Sequence, residues 1–373
     1  MSSKTAILFF PDAVADRTEQ PLMLAPMLFC PVLTWVGQTL AAQGVERFFA
    51  VCDRWQEELL AALPAGAEAV SLQNYASELP KRVDEQEELI VLSGPVVPAG
   101  FYSGGSAFTC TGAGLLRLLA EQGALTAFPS DAKTLTGFVP FGDEEELQEL
   151  TMVCRDAIVK THIQNGVRFL DANAVYIDPR VTIGRGTLVL PGTILRGSTA
   201  IGCGCEIGPN TMLTDCTVGD GTSVNASQGS ESTIGSNTSV GPFAYIRPHC
   251  RVGDKVRVGD FVELKNSNIG NGTKISHLTY VGDSDVGERV NFGCGTVTTN
   301  YDGFRKYRTT IEDDCFIGCN TNFIAPVKAG RGCYIAAGST VTGDIPADAL
   351  AVARARQVNL DGWAARNREK KKK

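Results

Sequence analysis

The chain has 373 residues, 40 of them glycine, and a formal net charge of −7. That length exceeds what one hydrophobic core usually serves and implies two domains. The negative balance argues against a general nucleic-acid binder, and no apolar run approaches the ~18 residues of a membrane span.

Met1 to Asp12 carries a single lysine and a short apolar run that stops at Pro11. It reads as a first strand and not as a secretion signal. Thr5–Phe10, Arg47–Cys52 and Glu88–Ser93 have the character of buried strands. Val32–Gln43, Arg54–Leu63 and Gly112–Gln122 have the character of helices between them. Such alternation predicts a parallel sheet with helices on both faces. From Glu144 to about Asn165 the pattern is that of a longer helix with acidic residues in its first turn, as the helix dipole favours. The expected division is an α/β domain over 1–145, a linking helix over 146–168, a repeat domain over 169–345 and a tail over 346–373. The tail ends in Lys370 to Lys373 and reads as solvated.

After the long helix the pattern changes. Ile177, Ile183, Val189, Leu195, Ile201, Ile207 and Leu213 stand six apart. The register resumes as Ile234, Val240, Ile246, Val252, Val258 and Leu264, and again as Ile311, Ile317, Phe323, Ala329, Ile335 and Val341. Neither the 3.6 period of a helix nor the 2 of a strand accounts for this. A coil of three short strands does, with one apolar residue per wall turned inward and glycine or a small polar residue at the corners. The fold expected is therefore a parallel β-helix behind an α/β domain. Breaks at Ser227–Thr233 and Asn300–Thr310 read as loops expelled from the coil, where binding chemistry tends to sit.

The twelve cysteines are scattered, and Cys203-x-Cys205 is their only close pair. No second pair follows at zinc-ligand spacing, so no metal site is expected. Without a secretion signal, the thiols read as small apolar residues of a cytosolic, reducing compartment.

The second break carries the chemistry. His277-Leu-Thr-Tyr280-Val-Gly-Asp283 and Asn291-Phe-Gly-Cys-Gly-Thr296 precede it. It then opens as Asn300-Tyr301-Asp302-Gly303 and carries Arg305, Lys306 and Arg308. His277, one of three histidines, lies two residues beyond the inward Ile275 and so faces solvent or a neighbouring subunit. On spacing alone it is an ordinary surface histidine.

From about Gly241 to Trp363 the chain resembles the acetyltransferase half of the bifunctional GlmU family. The matching strings are Arg247-Pro248, Gly259-Asp-Phe-Val-Glu263-Leu-Lys265, the His277 and Asn291 strings, Thr299-Asn300-Tyr301-Asp302-Gly303, Ile335-Ala-Ala-Gly338 and Ala353-Arg354. The resemblance implies a left-handed β-helix, a homotrimer, and acetyl transfer from acetyl-CoA to the amine of glucosamine 1-phosphate. It places the general base at His277 and the phosphate ligands at Arg247 and Lys265. It sets Tyr280, Asn291 and Asn300 against the sugar or the intermediate, and Glu263 near the base to orient amine or imidazole. Lys306 and Arg354 fall where the family binds anionic groups of CoA and the neighbouring substrate. Cys294, Asn300, Tyr301, Cys319 and Ala337 fall along the acetyl-CoA site, where the family usually has Ala in place of Cys294 and Ser in place of Cys319. The chemistry fits these residue types, since a neutral imidazole takes a proton from an amine near pH 7 and Arg and Lys hold phosphate. An acceptor other than glucosamine 1-phosphate, or a non-catalytic trimeric scaffold, remains open on the sequence.

The other half of the resemblance is eroded. Where the family has a glycine-rich phosphate loop of the form L-A-A-G-x-G-T-R-M, this chain reads Leu8-Phe-Phe-Pro11-Asp-Ala-Val-Ala-Asp-Arg17-Thr18. Pro11 removes a backbone donor, and the two aspartates would repel a triphosphate. Leu22 replaces the following lysine, and Pro95 replaces the aspartate that holds Mg²⁺. Gly104-Gly105 reads as a turn. The expectation is a nucleotidyltransferase-like domain whose uridylyltransferase chemistry is lost.

Overall fold

The computed structural model describes residues 4–11, 20–99 and 106–370; most of the altered first loop, Gly104-Gly105 and the last lysines lie outside these. By their internal contacts the residues form two compact units, Met1–Ala226 and Ser227–Lys373.

The first unit opens with a mixed sheet. Strands β1 (Lys4–Phe9), β2 (Val45–Val51), β3 (Glu68–Val70), β4 (Glu88–Leu92), β5 (Ala107–Thr111) and β6 (Lys133–Thr134) lie in the order β3-β2-β1-β4-β5-β6. The four strands from β3 to β4 are parallel. β5 and β6 run antiparallel on one edge, which corrects the expectation of an all-parallel sheet. Helices α1 (Val32–Ala42), α2 (Gln56–Ala62) and α3 (Gly112–Gln122) follow the sequence pattern closely. Ile7, Phe49, Val51, Leu89, Val91 and Phe108 pack with Leu115 and Leu119 of α3 in one cluster. The alternate residues Ala6, Leu8, Phe48, Ala50, Ile90 and Leu92 are buried as well, so both faces of the sheet are covered.

Helix α4 (Glu144–Gln164) starts at Asp143, whose carboxylate accepts the Glu146 N–H at 2.9 Å. The coil follows it, and no helix among the described residues is long and apolar enough to cross a membrane.

In the first unit, strands of two or three residues pair in parallel with the strand one coil further on. Ile177, Leu195 and Leu213 follow one another along one wall, Ile183, Ile201 and Val218 along a second, and Val189, Ile207 and Val224 along the third. The second unit repeats the three walls: Gly229–Ile246–Leu264–Val281, Val240–Val258–Ile275–Phe292–Ile317–Ile335 and Ile234–Val252–Ile269–Val286–Ile311–Ala329. Every six-spaced residue read from the sequence is buried, each Val, Leu or Ile contributing roughly 1.5–3 kcal/mol.

The segment Ser227–Thr233 is not an expelled loop. Gln228–Ser230 and Thr233–Ile234 are coil strands, and Gly229 takes the inward place beside Ile246. The spacings on either side of Gly229 are one residue short of six, and glycine offers no apolar side chain, so the pattern disappears while the coil continues. The second break does leave the coil. Tyr301 and Lys306 form an antiparallel bridge across it. The Asp302 carboxylate accepts the N–H groups of Phe304 and Arg305 at 2.8 and 2.7 Å.

Candidate functional site

Two nine-residue strands, β7 (Arg257–Lys265) and β8 (Lys274–Gly282), lie side by side and turn a corner together. Phe261 and Leu278 make the turn with φ of 56° and 36°, a left-handed conformation that bulky residues rarely adopt. Each strand thereby serves two walls. Just before the corner, Asp260 stands opposite His277. The close approach depends on Gly259, where a Cβ would sit 1.9 Å from the Ser276 carbonyl oxygen.

The His277 Nδ1 lies 2.7 Å from the Asp260 Oδ1. The imidazole beside Asp260 holds its carboxyl below the usual range, so the partner is an ionised acceptor. In the neutral ring Nδ1 then carries the proton and Nε2 is the lone-pair nitrogen. Both side chains are accessible, at 57% and 41% exposure.

Beyond the corner the same strands build a charged cluster. Arg247 donates to Glu263 at 2.9 Å. Lys265 lies 3.7 Å from the buried Asp283. The Lys306 ammonium, brought in beside Lys265 by the loop, together with burial pulls the Lys265 ammonium below its ordinary value. Burial pushes Asp283 upward, but bonds from Asn266 and Asn300 and the two lysine charges bring it below the usual carboxylate range. Burial keeps the Tyr280 phenol above its ordinary value, with Asn300 beside it opposing the shift. Three cations thus face two carboxylates. The excess positive charge and the lowered lysine suit an anionic group such as a phosphate. Arg308 is not part of this excess, because it forks onto Asp285 at 2.7 and 2.8 Å.

The remaining candidates line the other arm of the site. The pairing of Ile275 with Phe292, Ile317 and Ile335 in turn puts His277, Cys294, Cys319 and Ala337 at one corner on successive coils. Backbone bonds tie these rungs: Gly295 N–H to Leu278 O at 2.9 Å, Asn320 N–H to Cys294 O at 2.8 Å, Gly338 N–H to Cys319 O at 2.7 Å. A Cβ on Gly293 or Gly318 would strike the next rung at 2.4 Å, so the corner stays thin. The Arg354 stem lies over Gly338, where a Cβ would meet its Cδ at 3.7 Å. Asn291 sits on the adjoining wall between Lys274 and Phe316. Tyr301 spends its hydroxyl on the Gly303 carbonyl at 2.6 Å and leaves its ring exposed.

The sequence placed an acidic orienting group at Glu263, whereas the carboxylate on the imidazole is Asp260 and Glu263 holds Arg247. Asp260 was legible through the repeat: it stands one coil before His277, as Val258 stands before Ile275. Asp283, which gathers Lys265, Asn266 and Asn300, was part of a matched string to which no role attached.

A family model described as bacterial transferase hexapeptide (six repeats) matches residues 231–266 and 308–343. A protein named bifunctional protein GlmU from Geobacillus thermodenitrificans is 48% identical over 253 residues, 68% of this chain and 55% of that protein. The protein of the same name from Caldanaerobacter subterraneus is 50% identical over 218 residues, 58% of this chain and 48% of that one. This chain therefore spans about half the length of the curated relatives it matches. Among solved structures, an Arabidopsis UDP-N-acetylglucosamine acyltransferase matches at 19% identity and a TM-score of 0.32, over 55% of this chain and 72% of that one.

Proposed function

Because the chain belongs to the GlmU family, we propose that it transfers the acetyl group of acetyl-CoA to the amine of glucosamine 1-phosphate. The observation that carries this is the coexistence, on β7 and β8, of an oriented imidazole and a cationic pocket. The sugar phosphate is held by Arg247, Lys265 and Lys306, with Tyr280, Asn291 and Asn300 around the ring and Glu263 fixing Arg247. Acetyl-CoA lies along the corner of Cys294, Cys319 and Ala337, mostly against backbone, with Tyr301 beside it and Arg354 toward its anionic end. His277 Nε2 takes a proton from the ammonium, and Asp260 holds the imidazole in the tautomer that can accept it. The free amine then attacks the thioester carbonyl, the C–S bond breaks, and the thiolate of CoA takes the nitrogen's second proton and leaves as the thiol, with the amide as the other product.

The active assembly is a homotrimer in the cytoplasm. The first domain has lost uridylyl transfer, since Pro11, Leu22 and Pro95 replace the phosphate and Mg²⁺ apparatus. Thiol release from acetyl-CoA, measured against a panel of amino sugar phosphates, tests the first claim; no release with glucosamine 1-phosphate sinks it. Mg²⁺-dependent pyrophosphate release from UTP and N-acetylglucosamine 1-phosphate would refute the loss.

A further inference from the structure

Nine of the twelve cysteines are buried, and the exposed ones are Cys203, Cys294 and Cys319. Two of those three occupy one corner on consecutive coils, in line with His277. Neighbouring strands lie about 4.8 Å apart, and the Cys294 carbonyl accepts the N–H of the residue after Cys319. A second in-register pair in the same coil shows how near such thiols come. Cys315 and Cys333, set opposite one another by the pairing of Phe316 with Tyr334, have their sulfurs 3.6 Å apart. That pair is buried; Cys294 and Cys319 face solvent.

We propose that Cys294 and Cys319 form an oxidisable dithiol on the path of the acetyl donor, specific for disulfides of the pantetheine class. The donor's location rests on the function proposed above. The donor's sulfur is released beside His277, one rung from Cys294, so the disulfide form of the same carrier brings its S–S bond to these thiols. One cysteine, as thiolate, attacks that bond and forms a mixed disulfide while one carrier thiol leaves. The neighbouring cysteine, as thiolate, attacks the mixed disulfide and releases the second carrier thiol. Both protein thiols are oxidised to one internal disulfide, and one carrier disulfide is reduced to two thiols. The bridge ties two rungs where the thioester must lie, and transfer stops until a reductant opens it.

The test incubates the full-length protein with oxidised coenzyme A and maps its peptides by mass spectrometry without reduction. The wild type should yield a Cys294–Cys319 linked peptide. Cys294→Ser and Cys319→Ser should each trap a coenzyme A adduct on the remaining partner, and Cys203→Ser should behave as wild type. Desulfo-coenzyme A should slow the reaction at least 10-fold. The wild-type acetylation rate should fall at least 10-fold on oxidation and return with dithiothreitol, whereas the Cys203→Ser ratio should match it. Failure of the link to form in protein that binds coenzyme A overturns the dithiol. A link that forms without protection by desulfo-coenzyme A overturns instead the donor's placement at this corner. A link that leaves the rate unchanged overturns the shut-off.

Discussion

At the scale of single residues the proposed reaction divides its labour between a proton acceptor and a charge trap. His277→Ala should leave the coil folded, because the imidazole is exposed and not one of the inward residues. Acetyl transfer should nevertheless fall roughly 10²–10⁴-fold, the range that positioned proton transfer supplies. Asp260→Asn keeps the ring in place but lets an amide donate to Nδ1, which favours the tautomer that cannot accept the proton. The expected loss is about 10- to 100-fold, as when other partners that orient a functional imidazole are removed. It should fall on kcat with KM little changed, since Asp260 touches His277 and not the phosphate cluster. Circular dichroism and steady-state kinetics on the two variants check this. An Asp260→Asn enzyme with wild-type kcat would remove Asp260 from the mechanism. Asp260 was recoverable from the repeat arithmetic, whereas the Lys265–Asp283–Asn300 network was not. It depends on a loop that re-enters the coil, and no spacing rule predicts where Lys306 lands.

Among elements, the coil was the most legible because its inward residues recur so regularly. Where the recurrence slipped, at Gly229, the strand went unread, since a glycine on the inner wall carries no hydropathic signal. In the first domain, β5 and β6 escaped for a different reason. Ala107–Thr111 mixes small and polar residues and Lys133–Thr134 is only two residues long, so their antiparallel pairing leaves no pattern. Helix α4 was clear, but its function within the packing was not. It buries His162, whose Nδ1 has no partner among the described residues, and burial lowers this imidazole from 6.5 to about 4. Between those two values the unfolded chain binds a proton that the folded one refuses. Stability must fall as the pH drops through that window, by about 1.4 kcal/mol per unit. A His162→Leu chain should therefore lose less of its melting temperature between neutral pH and pH 5 than the wild type. Scanning calorimetry at the two conditions decides it, and equal losses would show that His162 titrates alike in the folded and unfolded chain.

Across the first unit as a whole, α4 explains why the stack has a beginning. The interior residues of the first coil, Val167, Val175, Ile177, Val181 and Ile183, are all buried although no coil precedes them. Arg155, itself buried, donates to the Asn173 carbonyl at 2.8 Å, and Leu147, Cys154, Ile158 and Val159 give the helix an apolar side. Among the described residues the strand Arg168–Phe169 registers with Leu188–Val189, one coil further on, and an uncovered opposite edge would be an invitation to any passing strand. The helix thus acts as a lid on a column that could otherwise grow. A polypeptide begun at Asp143 keeps the lid and should remain discrete on size exclusion. One begun at Val167 should string together head to tail into fibres, the fate of a stack with nothing to say where it starts.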